Sequence, residues 1–146
     1  MANSVTIRVK GLTTLKAKFG NLTPKVVDAL KTGINRATAV VETDAKYVVP
    51  VDTGHLRNSI HARPAKSDKK SVFGSVYTNV AYAMFVEFGT GVRGNGSYPY
   101  DTDFTLAYGG VPGQVAQPFL GRALHQREKD IHKMVSQAVK AALGGV

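Results

Sequence analysis

Val5, Ile7 and Val9 alternate with Thr6 and Arg8 in SVTIRVK, the period-two pattern of a strand buried on one face. The period then changes. GLTTLKAKFGN reads as a short helix closed by Gly20, and Thr23-Pro24 signals a second helix start. Thr23 is the expected N-cap, and Pro24 takes the first helical position, where its missing N–H is not needed. From Pro24 to about Val48 the apolar residues Val27, Leu30, Ile34, Ala37, Val41 and Ala45 recur at steps of three and four. That spacing predicts a long amphipathic helix ended by Pro50, with Gly33 a weak point worth up to ~1 kcal/mol. VDTGHLRNSI reads as a turn leading into a strand at IHARPA. The alternating run SVFGSVYTNV pairs with that strand as an antiparallel hairpin across the tip KSDKK.

AYAMFVEF fits either period, but Tyr82, Phe85 and Val86 on one face and Gly89 as C-cap favour a short helix. Residues 89–117 carry many glycines, Pro99, Pro112 and four aromatics without a sustained period. A loop of that length is functional or orders only on binding. Pro118 opens the last helix, with a stripe of Leu120, Leu124, Ile131, Val135, Ala138 and Ala142 and a stop at Gly144. The predicted class is α+β: one domain over residues 1–146, a small antiparallel sheet packed against two long helices, with a long glycine-rich loop at about 89–117.

Charge adds a direction. There are 19 Lys and Arg against 10 Asp and Glu, a formal +9, which attracts polyanions and acidic partners. The dense spot, KSDKK, reads as a solvated hairpin tip, and no basic stripe with interleaved aromatics is visible. Cysteine is absent, which excludes disulfides and thiolate chemistry. The opening MANSVTIRVK lacks a signal-peptide core, and no apolar run nears the ~20 residues of a membrane span, so neither export by a leader nor a membrane role is expected.

Candidate chemistry narrows quickly. Asp52-Thr53-Gly54 with a later Phe119-Leu120-Gly121-Arg122 resembles the parts of a retroviral-type aspartic protease. Such an enzyme needs strands around the acid, and here a long helix precedes it and polar HLRNS follows, so Asp52 is expected to cap a turn through backbone N–H groups. His55, His61, His125 and His132 show no metal-ligand spacing, and GVRGNG lacks the strand and Lys-Ser/Thr of a phosphate loop. No metal, cofactor or catalytic residue is expected. Glu87 remains, an acid among apolar neighbours with no local acid–base partner. A buried charge needs compensation, so Glu87 should meet a cation, with Arg57 and Arg122 as candidates, or backbone N–H donors.

Taken in order, PVDTGHLRNSI, VAYAMFVEFGTG and QPFLGRAL resemble the tail-completion and neck family of long-tailed phages, minor tail or head–tail joining components. The shared pattern falls on Val51, Asp52, Thr53, Gly54, Leu56, Arg57, Ser59 and Ile60, then on Tyr82, Ala83, Val86, Glu87, Phe88, Gly89 and Thr90, and last on Pro118, Phe119 and Leu120. The resemblance implies a non-enzymatic virion protein of the head–tail junction, made in the host cytoplasm. Its implied partners are copies of itself in a ring, expected to be a hexamer, other neck, connector and tail-tube proteins, and phage DNA passing through the channel without sequence-specific binding. No membrane partner is implied. A tail terminator ring capping the tail tube is the alternative within the family reading, and a basic nucleic-acid-binding module the alternative from another class. In this picture Asp52, Thr53, Gly54, Arg57, Glu87, Phe88, Gly89, Pro118, Phe119 and Arg122 serve structure and assembly. Arg93, Tyr98, Tyr100, Phe104 and Tyr108 would anchor the loop on a neighbour, unless the loop folds back on its own core.

Overall fold

The computed structural model describes residues 3–9, 23–68, 71–100 and 112–144, the first of these stretches by its backbone alone. The helix predicted at GLTTLKAKFGN lies outside them, as do Phe104 and Tyr108.

Helix α1, Pro24–Val48, begins where the proline predicts, with Thr23 extended before it. The cap works through the backbone: the Thr23 carbonyl accepts from Val26 N at 3.0 Å and Val27 N at 3.3 Å, while the hydroxyl makes no cap hydrogen bond. The buried face is Val26, Leu30, Ile34, Ala37, Val41 and Ala45, so the expected stripe starts at Val26 and leaves Val27 half-buried. Val49 turns extended, as the residue before a proline must, and the helix stops. Each of Leu30, Ile34 and Val41 is removed from water almost completely, worth roughly 1.5–3 kcal/mol apiece.

Three antiparallel strands form one sheet in the order β1-β3-β2: β1 is Asn3–Val9, β2 is His61–Ser67 and β3 is Val72–Thr78. The central strand alternates, burying Val72, Gly74, Val76 and Thr78 against α1 and leaving Phe73, Ser75 and Tyr77 half-buried on the opposite face. Gly74 is required there, since a Cβ would come within 2.5 Å of Ile34 Cγ2 and 2.8 Å of Thr38 Cγ2. At the hairpin, the Asp68 carboxylate accepts from Ser71 N at 2.7 Å and closes the turn. Strand β2 carries a bulge between Arg63 and Lys66, at Pro64, a place where a missing N–H is tolerated.

β2 is an edge strand, and α1 covers two of its edge donors. Glu42 Oε2 accepts from Ala62 N at 2.8 Å, and Asn35 Oδ1 accepts from Ala65 N at 2.7 Å. Asn35 and Glu42 stand two turns apart on α1 beside the apolar stripe, so one face of that helix reaches both donors and blunts an edge that could pair with a stray strand. Burial pushes the Glu42 carboxyl up, but the Lys46 ammonium at 2.6 Å, the Ala62 N–H and the His61 charge outweigh it and hold the group below its usual range.

Helix α2, His55–Asn58, follows a turn at Gly54, whose φ of 83° needs glycine. It plants Leu56 and Ile60 in the core. Ser59 Oγ donates to Leu56 O at 2.7 Å, so the fully buried Thr78 hydroxyl donates to Ser59 and accepts from Val80 N at 3.2 Å. That chain of hydroxyls satisfies both side chains and ties the DTG-x-L-x-x-S-I segment to the end of β3. Helix α3 is Ala83–Phe88, α4 a single turn at Gly91–Gly94, and α5 the long C-terminal helix Leu120–Ala142.

α5 lies along α1, burying Leu120, Ala123 and Ile131 with Leu124, Met134, Val135 and Val139 half-buried beside them. At Gly33 the two helices approach closely: a Cβ there would be 3.0 Å from Val135 Cα and 3.2 Å from Ala138 Cβ. The position predicted as a weak point of α1 is therefore where the second helix fits. Arg127 pairs with Asp44 across the two helices and with Asp130 one turn on, a half-exposed network that solvent screens.

Candidate functional site

Glu87, on the last turn of α3, is 2% exposed, and both of its oxygens point at the start of α5. Oε2 accepts from Phe119 N at 2.8 Å and Leu120 N at 3.0 Å. Oε1 accepts from Gly121 N at 2.8 Å and from the Tyr98 hydroxyl at 3.2 Å. The first amides of a helix have no partner within it and carry the positive end of its dipole, so a carboxylate there is met by three donors and a favourable field. Sequence placed a cation or backbone donors on this acid, and the donors are backbone N–H groups and one phenol. Arg57 and Arg122 are exposed and form no ion pair with it.

The clamp depends on small neighbours. At Gly121 a Cβ would lie 2.1 Å from Tyr98 Oη and 3.0 Å from Glu87 Oε1. Gly89, with φ 79°, turns the chain out of α3 where a Cβ would strike Gln114 O, Ala116 N and Gly94 Cα, all within 2.8 Å. Just beyond, Thr90 and Gln114 exchange two backbone hydrogen bonds, at 2.8 and 3.0 Å, and Gln117 N donates to Val86 O at 2.8 Å. The ends of the predicted loop are thus stapled together at its base, with α4 and this bridge as the regular structure among its described residues. Phe119 is fully buried beneath. Pro118 is half-buried one residue before it, and the helix begins at Leu120.

Aromatic rings close the site. Phe88, half-buried, meets Tyr98 at 4.7 Å between centroids, Tyr98 meets Tyr100 at 5.6 Å edge-on, and Tyr100 meets His125 of α5 at 5.0 Å. Burial, then the Glu87 charge and hydrogen bond and the nearby Tyr100, push the Tyr98 phenol well above its ordinary pKa. Two of the five expected loop anchors, Tyr98 and Tyr100, therefore lie against their own chain, as the folded-back alternative requires, while Arg93 is exposed. Asp52 stands exposed on the turn between α1 and α2 and does not cap it: the N-cap of α2 is Gly54, without a side-chain cap, and the turn's side-chain contact is the Thr53 hydroxyl accepting from His55 N at 3.4 Å. Among the described residues no group of three His, Cys, Asp or Glu side chains could hold a metal ion, and no helix is long and apolar enough to cross a membrane.

What the arrangement does is mechanical: one carboxylate fastens α3 to α5 across the base of the loop. The segment that supplies it coincides with a known family boundary. Residues 13–89 match the model of the HK97-gp10-like family, described as "Bacteriophage HK97-gp10, putative tail-component". The chain belongs to this family. It is accordingly a phage tail component, and its place is the virion. No curated protein and no solved structure matches the chain. The match covers α1, α2, β2, β3 and α3 and stops at Gly89, so the HK97-gp10-like region holds the remainder of the chain through Glu87, together with the Asp44–Arg127 pair and the Val86 carbonyl.

Sequence reasoning missed Asn35 and Glu42 as edge caps, the Ser59–Thr78 hydroxyl chain, and Gly33 and Gly121 as sites of close approach. Only the first left a signal, two polar residues seven apart flanking an apolar stripe. The others depend on which segments meet in space.

Proposed function

We propose that this protein is a structural component of the head–tail junction, assembling with copies of itself into a ring that completes the tail or joins it to the head, and that it catalyses no reaction. The observation that carries this is membership of a phage tail-component family. The site geometry supports it, since every hydrogen bond that Glu87 makes is spent on the protein's own helix and phenol. A surface fit for a neighbour surrounds the same loop base. Tyr82 at the N-cap of α3, Phe85 within it, Val92 on α4 and Val115 beside the Thr90–Gln114 bridge are 46, 44, 63 and 53% exposed. Large apolar side chains gathered at one place mark an interaction surface, and a ring needs one surface to fit a different surface of the next copy.

Electron microscopy of lysates from a phage with this gene inactivated tests the reading. DNA-filled heads and separate tails should accumulate, and supplying the protein in trans should restore joined particles. Phe85→Asp should fold as the parent does yet fail to restore them. Normal particles in the absence of the protein would defeat the proposal, and a ring found only at the end of unattached tails would assign the terminator role instead.

A further inference from the structure

The outer face of the sheet carries a second feature. β2 and β3 pair Arg63 with Ser75 and Lys66 with Phe73, three residues apart on one strand and two on the other. In a regular strand, residues three apart point to opposite faces; the bulge absorbs the extra residue and returns both cations to the face that carries Phe73, Ser75 and Tyr77. His61 joins the row opposite Tyr77. The three positions are therefore spaced by two-residue steps, about 7 Å each, close to the separation of neighbouring phosphates along one strand of a duplex. Arg63 stacks on the Tyr77 ring at 4.1 Å, which fixes its guanidinium without neutralising it. Between the two cations lies a shallow depression of about 70 Å³, lined by Arg63, Pro64, Lys66, Phe73, Gly74 and Ser75.

Charge complementarity names the occupant. None of the three strands contains an acid. The nearest acids are already engaged, Glu42 at the strand's edge with Lys46 and Ala62 N, and Asp68 in the hairpin turn with Ser71. Arg63 and Lys66 are exposed and make no ion pair among the described residues. We infer that the β2–β3 face is a phosphate-tracking surface for duplex DNA, with the Arg63–Lys66 depression seating one backbone phosphate and Tyr77 and Ser75 offering hydroxyls beside it. Duplex DNA fits better than an acidic protein because the basic positions form a row at phosphate spacing and flank a small concavity. The inference deepens the junction reading, assigning the face of each copy that meets the DNA.

Binding of the full-length protein to a duplex of arbitrary sequence, followed by fluorescence anisotropy across a salt series, tests it. The affinity should fall steeply with salt, and Arg63→Gln combined with Lys66→Gln should lower the slope of log K against log salt by about 2, one per lost phosphate contact. Ser75→Asp, which leaves both cations in place, should weaken binding as well. Lys129→Gln combined with Lys133→Gln, on the exposed side of α5, should leave the slope unchanged. Absence of binding at low salt, an unchanged slope in the Arg63/Lys66 variant, or an equal loss in the α5 variant would overturn the assignment. So would equally effective competition by polyglutamate, which would give the face to an acidic protein. These outcomes are independent of whether a ring stands at the junction, so the DNA surface and the junction role can fail separately.

Discussion

Glu87 and Lys66 occupy opposite ends of the range of environments open to a charge in this protein. Glu87 is 2% exposed and holds four donors on two oxygens, all from its own chain. Lys66 stands exposed on an edge strand, returned to the outer face by a bulge, with no counter-ion among the described residues. A charge that folding satisfies internally contributes to the fold. A charge that folding leaves unsatisfied, and positions beside another of like sign, is available to something outside. The two regions should therefore respond to substitution in opposite ways.

The largest effect belongs to the clamp. Glu87→Ala removes the acceptor of three backbone N–H groups, and with each buried donor left unmet costing about 1–3 kcal/mol the variant should lose on the order of 3–5 kcal/mol in urea unfolding. Glu87→Gln should lose less but still measurably, because one amide oxygen cannot replace two and its NH2 would face donors. A Glu87→Gln protein of full stability that still assembles would reduce the clamp to an incidental contact.

Gly121→Ala comes next, and its sign is informative. Alanine favours a helix over glycine by up to ~1 kcal/mol. Against that stands a Cβ at 2.1 Å from a tyrosine oxygen that Phe88 and Tyr100 hold in place. Overpacking of about 1–3 kcal/mol should win and give net loss of stability. A gain on thermal unfolding would mean that Tyr98 swings away from Glu87 at little cost.

Much of this molecule was legible in its pattern of apolar residues, because α1, β3, α3 and α5 each bury one face of a regular repeat, and β2 followed as the hairpin partner of β3. The alternation in SVTIRVK likewise located β1 to within a residue. What periodicity could not show is where elements converge. The three amides that meet Glu87 lie over thirty positions away along the chain, and nothing local distinguishes Phe119, Leu120 and Gly121 as donors from Arg57 and Arg122 as cations. The basic row was equally hidden. In linear order Arg63 and Lys66 have the wrong spacing for one face of a strand, and only the bulge, with β3 supplying Tyr77 and Phe73 across the ladder, assembles them into a stripe.

A pH titration sharpens the comparison further. The Tyr98 phenol is raised in the folded protein, so the folded state keeps its proton where the unfolded state, with an ordinary value of about 10, gives it up. Stability from this group is full below that pH and falls as pH rises beyond it, because the unfolded chain then binds fewer protons than the native one. Thermal unfolding should show an alkaline loss starting near pH ~10 that is smaller in Tyr98→Phe. An identical alkaline profile in that variant would show that the Glu87–Tyr98 contact is not made in solution. Smallest of all is the effect expected at the outer face: Arg63→Gln with Lys66→Gln should cost no more than about 1 kcal/mol, the loss of one exposed stacking contact on Tyr77, since neither side chain makes an ion pair among the described residues. A larger loss would make these cations part of the fold and remove the contrast with Glu87.

The most direct measurement is a cryo-EM map of the intact virion at the head–tail junction. The account predicts a ring of this chain there, its copies in contact around Tyr82, Phe85, Val92 and Val115 and the β2–β3 face of each copy turned towards the DNA. A junction built wholly of other proteins would contradict it.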